Sequence, residues 1–167
     1  MIDINEKAPK LEKKKFKELI EDSKYILIKD FIKKNTSKEI LVFDTNFLFV
    51  PFEFRVEIIS EIKRILGNDV SFVILKETLD ELEKIELKKT KNKKFLPLIA
   101  TLLKRYNVSI LITQEKMEKS SSYVDAILHT LPKNWVIATN DKELKQSLWK
   151  VPRRVIFMRQ KSYLDIK

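Results

Sequence analysis

Residues 39–48 read Glu39-Ile40-Leu41-Val42-Phe43-Asp44-Thr45-Asn46-Phe47-Leu48, and this stretch decides the fold. Ile40 to Phe43 form an unbroken apolar run that stops at a carboxylate. A strand with one face in water alternates apolar and polar residues. A strand without that alternation is covered on both faces, as in a parallel sheet between helices. Asp44 then falls at the carboxyl end of a buried strand, the edge where open parallel sheets bind ligands.

Outward from this strand the pattern repeats. Residues 70–75 (VSFVIL), 108–112 (VSILI), 135–138 (WVIA) and 154–158 (RVIFM) read as four more strands. Apolar spacing of three and four predicts helices over 54–66, 78–89, 95–106, 123–131 and 141–149. The third tolerates Pro97 because that residue lies in its first turn. Strands alternating with helices predict an α/β fold, a three-layer α/β/α sandwich around a parallel sheet of about five strands. Residues 1–39 read as a polar helical N-terminal extension, in which 24–34 either continue the helical pattern or form a short strand; residues 40–167 read as the domain proper.

Composition narrows the chemistry. No apolar run approaches the ~20 residues of a membrane span, and the N-terminus has no apolar leader, so no membrane partner is expected. With no cysteine, disulfides, thiol catalysis and a zinc ribbon are excluded, and a reducing, cytoplasmic setting is expected. The 34 basic against 24 acidic residues, a formal net charge of +10, favour a polyanionic partner, nucleic acid before membrane. The charges are segregated: residues 40–83 are acid-rich, whereas in 84–105 only Glu86 offsets the cations. An acid-rich stretch inside a protein that binds a polyanion points to cation coordination.

Asp44 and Asp141 each follow a strand, although Asp44 also suits a turn and Asp141 a helix N-cap. At ~100° per residue, Glu81 sits at the rim of the buried face formed by Thr78, Leu79, Leu82 and Ile85. On this count Asp80 and Glu77 point to solvent, and Glu83, on the other rim, is the rival of Glu81. Asp125 lies at the rim of the face Val124, Ile127, Leu128 and Leu131, and the lone histidine, His129, follows one turn later. Carboxylates gathered in one cleft repel unless a cation holds them. Oxygen-only ligands suit Mg²⁺ or Mn²⁺, and two such ions ~4 Å apart would hydrolyse a phosphodiester without a serine, cysteine or histidine nucleophile.

Four motifs in order then resemble a known family. Val42-Phe43-Asp44-Thr45-Asn46-Phe47-Leu48 resembles the opening strand and first acid of PIN domains. Glu81-Leu82-Glu83-Lys84-Ile85 is similar to the second-acid motif, and Tyr123-Val124-Asp125-Ala126-Ile127 to the third. Val136-Ile137-Ala138-Thr139-Asn140-Asp141, followed by Lys142-Glu143-Leu144-Lys145, is similar to the fourth. The resemblance implies a PIN-like fold and an endoribonuclease acting on RNA. Asp44, Glu81, Asp125 and Asp141 would hold Mg²⁺ or Mn²⁺, with Asn46 and Thr139 orienting the acids. It implies a homodimer by analogy only. Within the family the motifs resemble the ribosomal-RNA-processing branch of archaea and eukaryotes more than the short toxins of toxin–antitoxin pairs. A catalytically silent RNA-binding or ribosome-assembly factor on the same fold is a third alternative.

RNA is expected on basic ground beside the acids. Lys88, Lys89, Lys91, Lys93 and Lys94 follow the helix that carries Glu81, and Arg153 and Arg154 precede the last strand, with Arg159 and Lys161 after it. Such cations position phosphates rather than read bases.

Overall fold

The structure is a computed structural model that describes residues 15–113 and 123–167. Helix α1 (Phe16–Leu19) leads to strand β1 (Tyr25–Leu27) and α2 (Ile28–Lys34). Then come β2 (Glu39–Phe43), a 3-10 helix over Thr45–Phe49, α3 (Val50–Phe54) and α4 (Ile58–Leu66). Next are β3 (Val70–Leu75), α5 (Lys76–Leu87), a second 3-10 helix over Lys91–Phe95, α6 (Leu96–Arg105) and β4 (Ser109–Ile112). The chain closes with α7 (Tyr123–Thr130), β5 (Val136–Ala138), α8 (Lys142–Lys150), β6 (Val155–Arg159) and β7 (Tyr163–Ile166).

The strands form one sheet in the order β1-β4-β3-β2-β5-β6-β7. Every pairing is parallel except β6 with β7. Successive residues of β2 face opposite layers. Leu41 and Phe43 join the core under α4, α5 and α6, with Ile62, Leu82 and Ile99; Val42 joins the core under α2, α7 and α8, with Phe31, Ile127 and Leu148. This two-sided burial is why the strand shows no polar alternation, and it makes the three layers. Each large apolar side chain fully removed from water contributes about 1.5–3 kcal/mol before entropy is counted.

The five expected strands are all present, and two more flank them. Tyr25–Leu27 pairs in parallel with β4 and so extends one edge of the sheet, while Phe16 and Ile20 are buried in the core. The described part of the N-terminal stretch is therefore packed into the sandwich. At the other edge β7 returns through a tight turn, with Gln160 and Lys161 both at φ 54°. The helix expected over 54–66 is split. Arg55 adopts φ 54°, in the left-handed region, which ends α3 before α4 begins at Ile58.

Topology decides where a ligand can sit. From β2 the chain moves to β3 and β4 on one side, then crosses to β5 and β6 on the other. The carboxyl ends of β2 and β5 thus flank the point where the strand order reverses, and the helices that follow diverge there to leave a crevice.

Candidate active site

The register of β2 and β5 pairs Phe43 with Ala138, so the next residues, Asp44 and Thr139, stand side by side. The Asp44 amide donates to the Ala138 carbonyl at 2.9 Å. Its carboxylate is fastened at both oxygens: Oδ1 accepts from the Thr45 amide at 2.9 Å and Oδ2 from the Thr139 hydroxyl at 2.7 Å. Thr139, fully buried, also accepts from the Asp141 amide at 3.1 Å, so one hydroxyl ties the two strand-end acids together. Asp141 caps α8 through Oδ1, which accepts from the Leu144 amide at 3.0 Å. The cap costs it one oxygen and leaves the other toward the cleft. N-cap and cleft residue are here the same side chain.

The helices bring the other two. Glu81, half-buried on α5, accepts through Oε2 from the Thr45 hydroxyl. Asp125, half-buried on α7, stands across the cleft. All four acids line one cleft of about 520 Å³, together with a fifth carboxylate, Glu53, and with Asn92 and Asn140. Phe49, Val50, Phe54 and Ile85 supply an apolar wall.

The acids repel one another. Burial pushes the Asp44 carboxyl up to about 6, the Thr139 and Thr45 hydrogen bonds pull it back, and Asp125 and Glu81 add repulsion. Asp125 is raised by burial first, then by Asp141 and Glu81. Among the described residues no three acids or histidines already stand close enough to enclose an ion; the carboxylates ring the cleft instead. The donor set fits a hard divalent cation, being all oxygen. Glu81 Oε1, Asp141 Oδ2 and both oxygens of Asp125 accept no hydrogen bond from described groups.

The structure corrects several sequence-based positions. Asn46 is exposed and lines the cleft, but among the described residues its side chain bonds to no carboxylate; its Oδ1 accepts from the Asn140 amide at 3.4 Å. Thr45, unremarked in the sequence, holds Glu81 instead. Asn140 braces the cleft from the other side, accepting from the Met158 amide at 2.7 Å. A hydroxyl and an amide flanking strand-end acids were the available signals. Glu77 is half-buried rather than in solvent, accepting from the Thr113 hydroxyl at 3.5 Å, whereas Asp80 is exposed as counted. Glu83 lies outside the cleft and helps raise the Tyr25 phenol, after burial. His129 turns to Ser147 of α8, at 3.0 Å, and does not line the cleft.

The basic residues divide. Lys88, Lys89, Lys91, Lys93 and Lys94 are exposed, and Asn92 from the midst of them lines the cleft, so the run flanks its mouth. Glu86, the acid nearest in sequence, accepts from the Phe16 amide at 2.6 Å. Arg153 and Arg154, expected to hold nucleic acid, are engaged within the protein. They precede β6 and therefore sit at the amino edge of the sheet, away from the acids. Arg153 is 5% exposed and donates to the carbonyls of Leu131, Pro132 and Trp135. Arg154 forms a two-pronged ion pair with Glu39 at 2.7 and 2.9 Å. Arg159 is paired with Asp165 at 2.6 Å.

Among the described residues no helix is long and apolar enough to cross a membrane. Ribonuclease VapC4 of Methanocaldococcus jannaschii is 32% identical over 130 residues, 75% of this chain and 95% of that protein. The structure of the PIN domain endonuclease Utp24 resembles this one with a TM-score of 0.61 at 18% identity, covering 77% of this chain and 90% of that one. The second likeness carries the fold alone. The family model described as PIN like domain matches residues 41–161, the segment from β2 through β6 that holds all four acids, and with the 32% relative this makes the chain a member of the PIN-like domain family.

Proposed function

We propose that the protein is a divalent-cation-dependent endoribonuclease that hydrolyses RNA phosphodiester bonds at the carboxyl edge of the sheet. The observation that carries this reading is the convergence of Asp44, Glu81, Asp125 and Asp141 on one cleft, in a chain whose relatives include a ribonuclease. In this reading the four acids hold Mg²⁺ or Mn²⁺, which when bound supplies an acidified water and charge stabilisation for a leaving oxygen. The chain's own part is positioning. Thr139 and the Thr45 amide fix Asp44, the Thr45 hydroxyl fixes Glu81, and the α8 cap fixes Asp141. Such supporting hydrogen bonds set the direction of each ligand oxygen. Half-buried Phe54 gives a base a surface to lie against, and the lysines at 88–94 hold flanking phosphates.

The substrate we favour is a precursor ribosomal RNA, on the resemblance of the Glu81–Ile85 and Ala138–Lys145 motifs to that branch of the family. The 32% relative is a ribonuclease, while the likeness to Utp24 carries fold alone, so the toxin ribonuclease of a toxin–antitoxin pair is the second reading. A panel of structured and unstructured RNAs incubated with Mn²⁺, with and without EDTA, tests the proposal. Cleavage that EDTA abolishes is expected. Cleavage that survives EDTA, or none on any RNA, overturns it. Preference for structured precursor RNA over transfer and messenger RNA selects the first reading.

A further inference from the structure

A second cleft, of about 500 Å³, opens at the amino edge of the sheet, at the far end of the strands from the acids. It arises from an offset in register. β4 begins at Ser109 opposite Val73, whereas β3 itself begins at Val70, so Val70, Ser71 and Phe72 have no strand beside them on that side. The gap is lined by Lys24, Lys34, Lys63 and Arg105, from four separate parts of the chain, and by no acid. None of the four forms an ion pair among the described residues, where the paired cations are Arg64, Arg154 and Arg159.

Two further features concern what fills it. The Asn35 side chain lines the cleft; its Oδ1 accepts from the Ser37 amide and the Ser71 hydroxyl, but its Nδ2 is buried without a partner. A buried donor left unpaired is costly and calls for an acceptor. The helices α2, α4 and α6 also end here. Each carbonyl terminus carries about half a negative charge, which four full cations outweigh. The basic ground runs on past the cleft, since the last turns of α2 and α6 carry Lys33-Lys34 and Lys104-Arg105. An extended polyanion uses that continuation; a single phosphate does not.

We infer that this cleft binds backbone phosphates of RNA, so that a strand engaged at the carboxyl edge is anchored again at the amino edge. The inference rests on the ribonuclease reading only in taking the polyanion to be RNA. Half-buried Tyr106 lines the cleft with the Arg105 guanidinium over its ring, 5.5 Å from the centroid.

The test runs in EDTA, where binding needs no cleavage. Wild-type protein is acetylated on lysine alone, with oligouridylate, and with uridine monophosphate or inorganic phosphate at equal phosphate concentration. Mass spectrometry reads Lys24, Lys34 and Lys63. RNA is expected to slow their acetylation several-fold, and the small phosphates are not. Lys24→Ala, Lys34→Ala and Arg105→Ala combined, all at exposed positions, are expected to make the log–log salt dependence of RNA binding shallower by about 2 units, at 0.7 per single-strand contact. Unprotected lysines with an unchanged slope overturn the inference. Equal protection by the small phosphates overturns it too, in favour of a small-phosphate site. A protein that cleaves RNA with Mn²⁺ but shows no footprint loses this inference alone. One that shows the footprint and cleaves nothing loses the ribonuclease reading alone.

Discussion

The two edges of the sheet are electrical opposites. At the carboxyl edge five carboxylates, Asp44, Glu53, Glu81, Asp125 and Asp141, line a cleft without a lining cation. At the amino edge Lys24, Lys34, Lys63 and Arg105 line one without an acid. A phosphate approaching the first is repelled until cations neutralise it, and one approaching the second is attracted at once. For a protein of net charge +10, the difference teaches that affinity and chemistry can be built at opposite ends of the same strands.

The largest effect that sharpens this contrast is loss of a carboxylate. Asp44→Asn or Asp141→Asn is expected to lower the rate of RNA cleavage by on the order of 10²–10³-fold in an assay with Mn²⁺, the scale of removing one principal electrostatic contact. Asp80→Asn, on the exposed side of α5, is the control and is expected to cleave like wild type. Equal losses in all three variants would break the assignment.

Next in size is Thr139→Val, which keeps the shape of the fully buried side chain and deletes the hydroxyl between Asp44 and Asp141. Metal affinity, read by titration calorimetry, is expected to fall about 10–100-fold, as for other groups that orient ligands. A smaller loss is expected from Lys91→Ala, Lys93→Ala and Lys94→Ala combined. RNA binding should weaken by a similar factor for every sequence, and its salt slope should fall by about 2 units, while hydrolysis of bound RNA stays nearly constant. An unmoved slope would make these lysines a solvated loop.

The smallest effect concerns stability. The Asp44 carboxyl releases its proton near 6 when folded, against an ordinary 3.8, so its ionisation favours unfolding. That cost is absent below about pH 3.8 and fully present above about 6, and it is at most about 3 kcal/mol. Asp44→Asn is therefore expected to raise the metal-free melting temperature at pH 7 by a few °C, or about 1–2 kcal/mol, because the buried charge is gone while the Asn oxygen still accepts from the Thr45 amide and its Nδ2 donates to the Thr139 hydroxyl in place of accepting from it. At pH 4 the gain should vanish. With Mn²⁺ present the order should reverse, since only the wild type gains from binding the ion. Differential scanning calorimetry at the two pH values, with and without Mn²⁺, reads all three.

The carboxyl edge was legible in the sequence for a physical reason. Strand-end acids sit next to the apolar runs that define the strands, so Asp44 and Asp141 could be placed from local pattern, and helical phase put Glu81 and Asp125 at a rim. What local pattern does not carry is which rim faces which neighbour. Glu77 was turned to solvent by phase alone, yet it is half-buried beside Thr113 because β4 packs there. The amino edge was not legible, because its cations come from four segments that only the strand order brings together. Arg153 and Arg154 were read as nucleic-acid contacts from their position before a strand. That same position puts them at the amino edge, far from the acids, where one serves carbonyls and the other Glu39. Strand β7 was missed because its turn uses Gln160 and Lys161 at positive φ, positions where Asn-Gly is the usual signal. Strand β1 is only three residues long, too short for periodicity to separate it from the helix that follows.

Electron paramagnetic resonance of a Mn²⁺ titration tests the division between the two edges most directly. Wild-type protein is expected to take up Mn²⁺, Asp44→Asn to lose most of that uptake, and the Lys24→Ala, Lys34→Ala and Arg105→Ala combination to keep it. Uptake by Asp44→Asn equal to that of the wild type would contradict a cation site at the carboxyl edge.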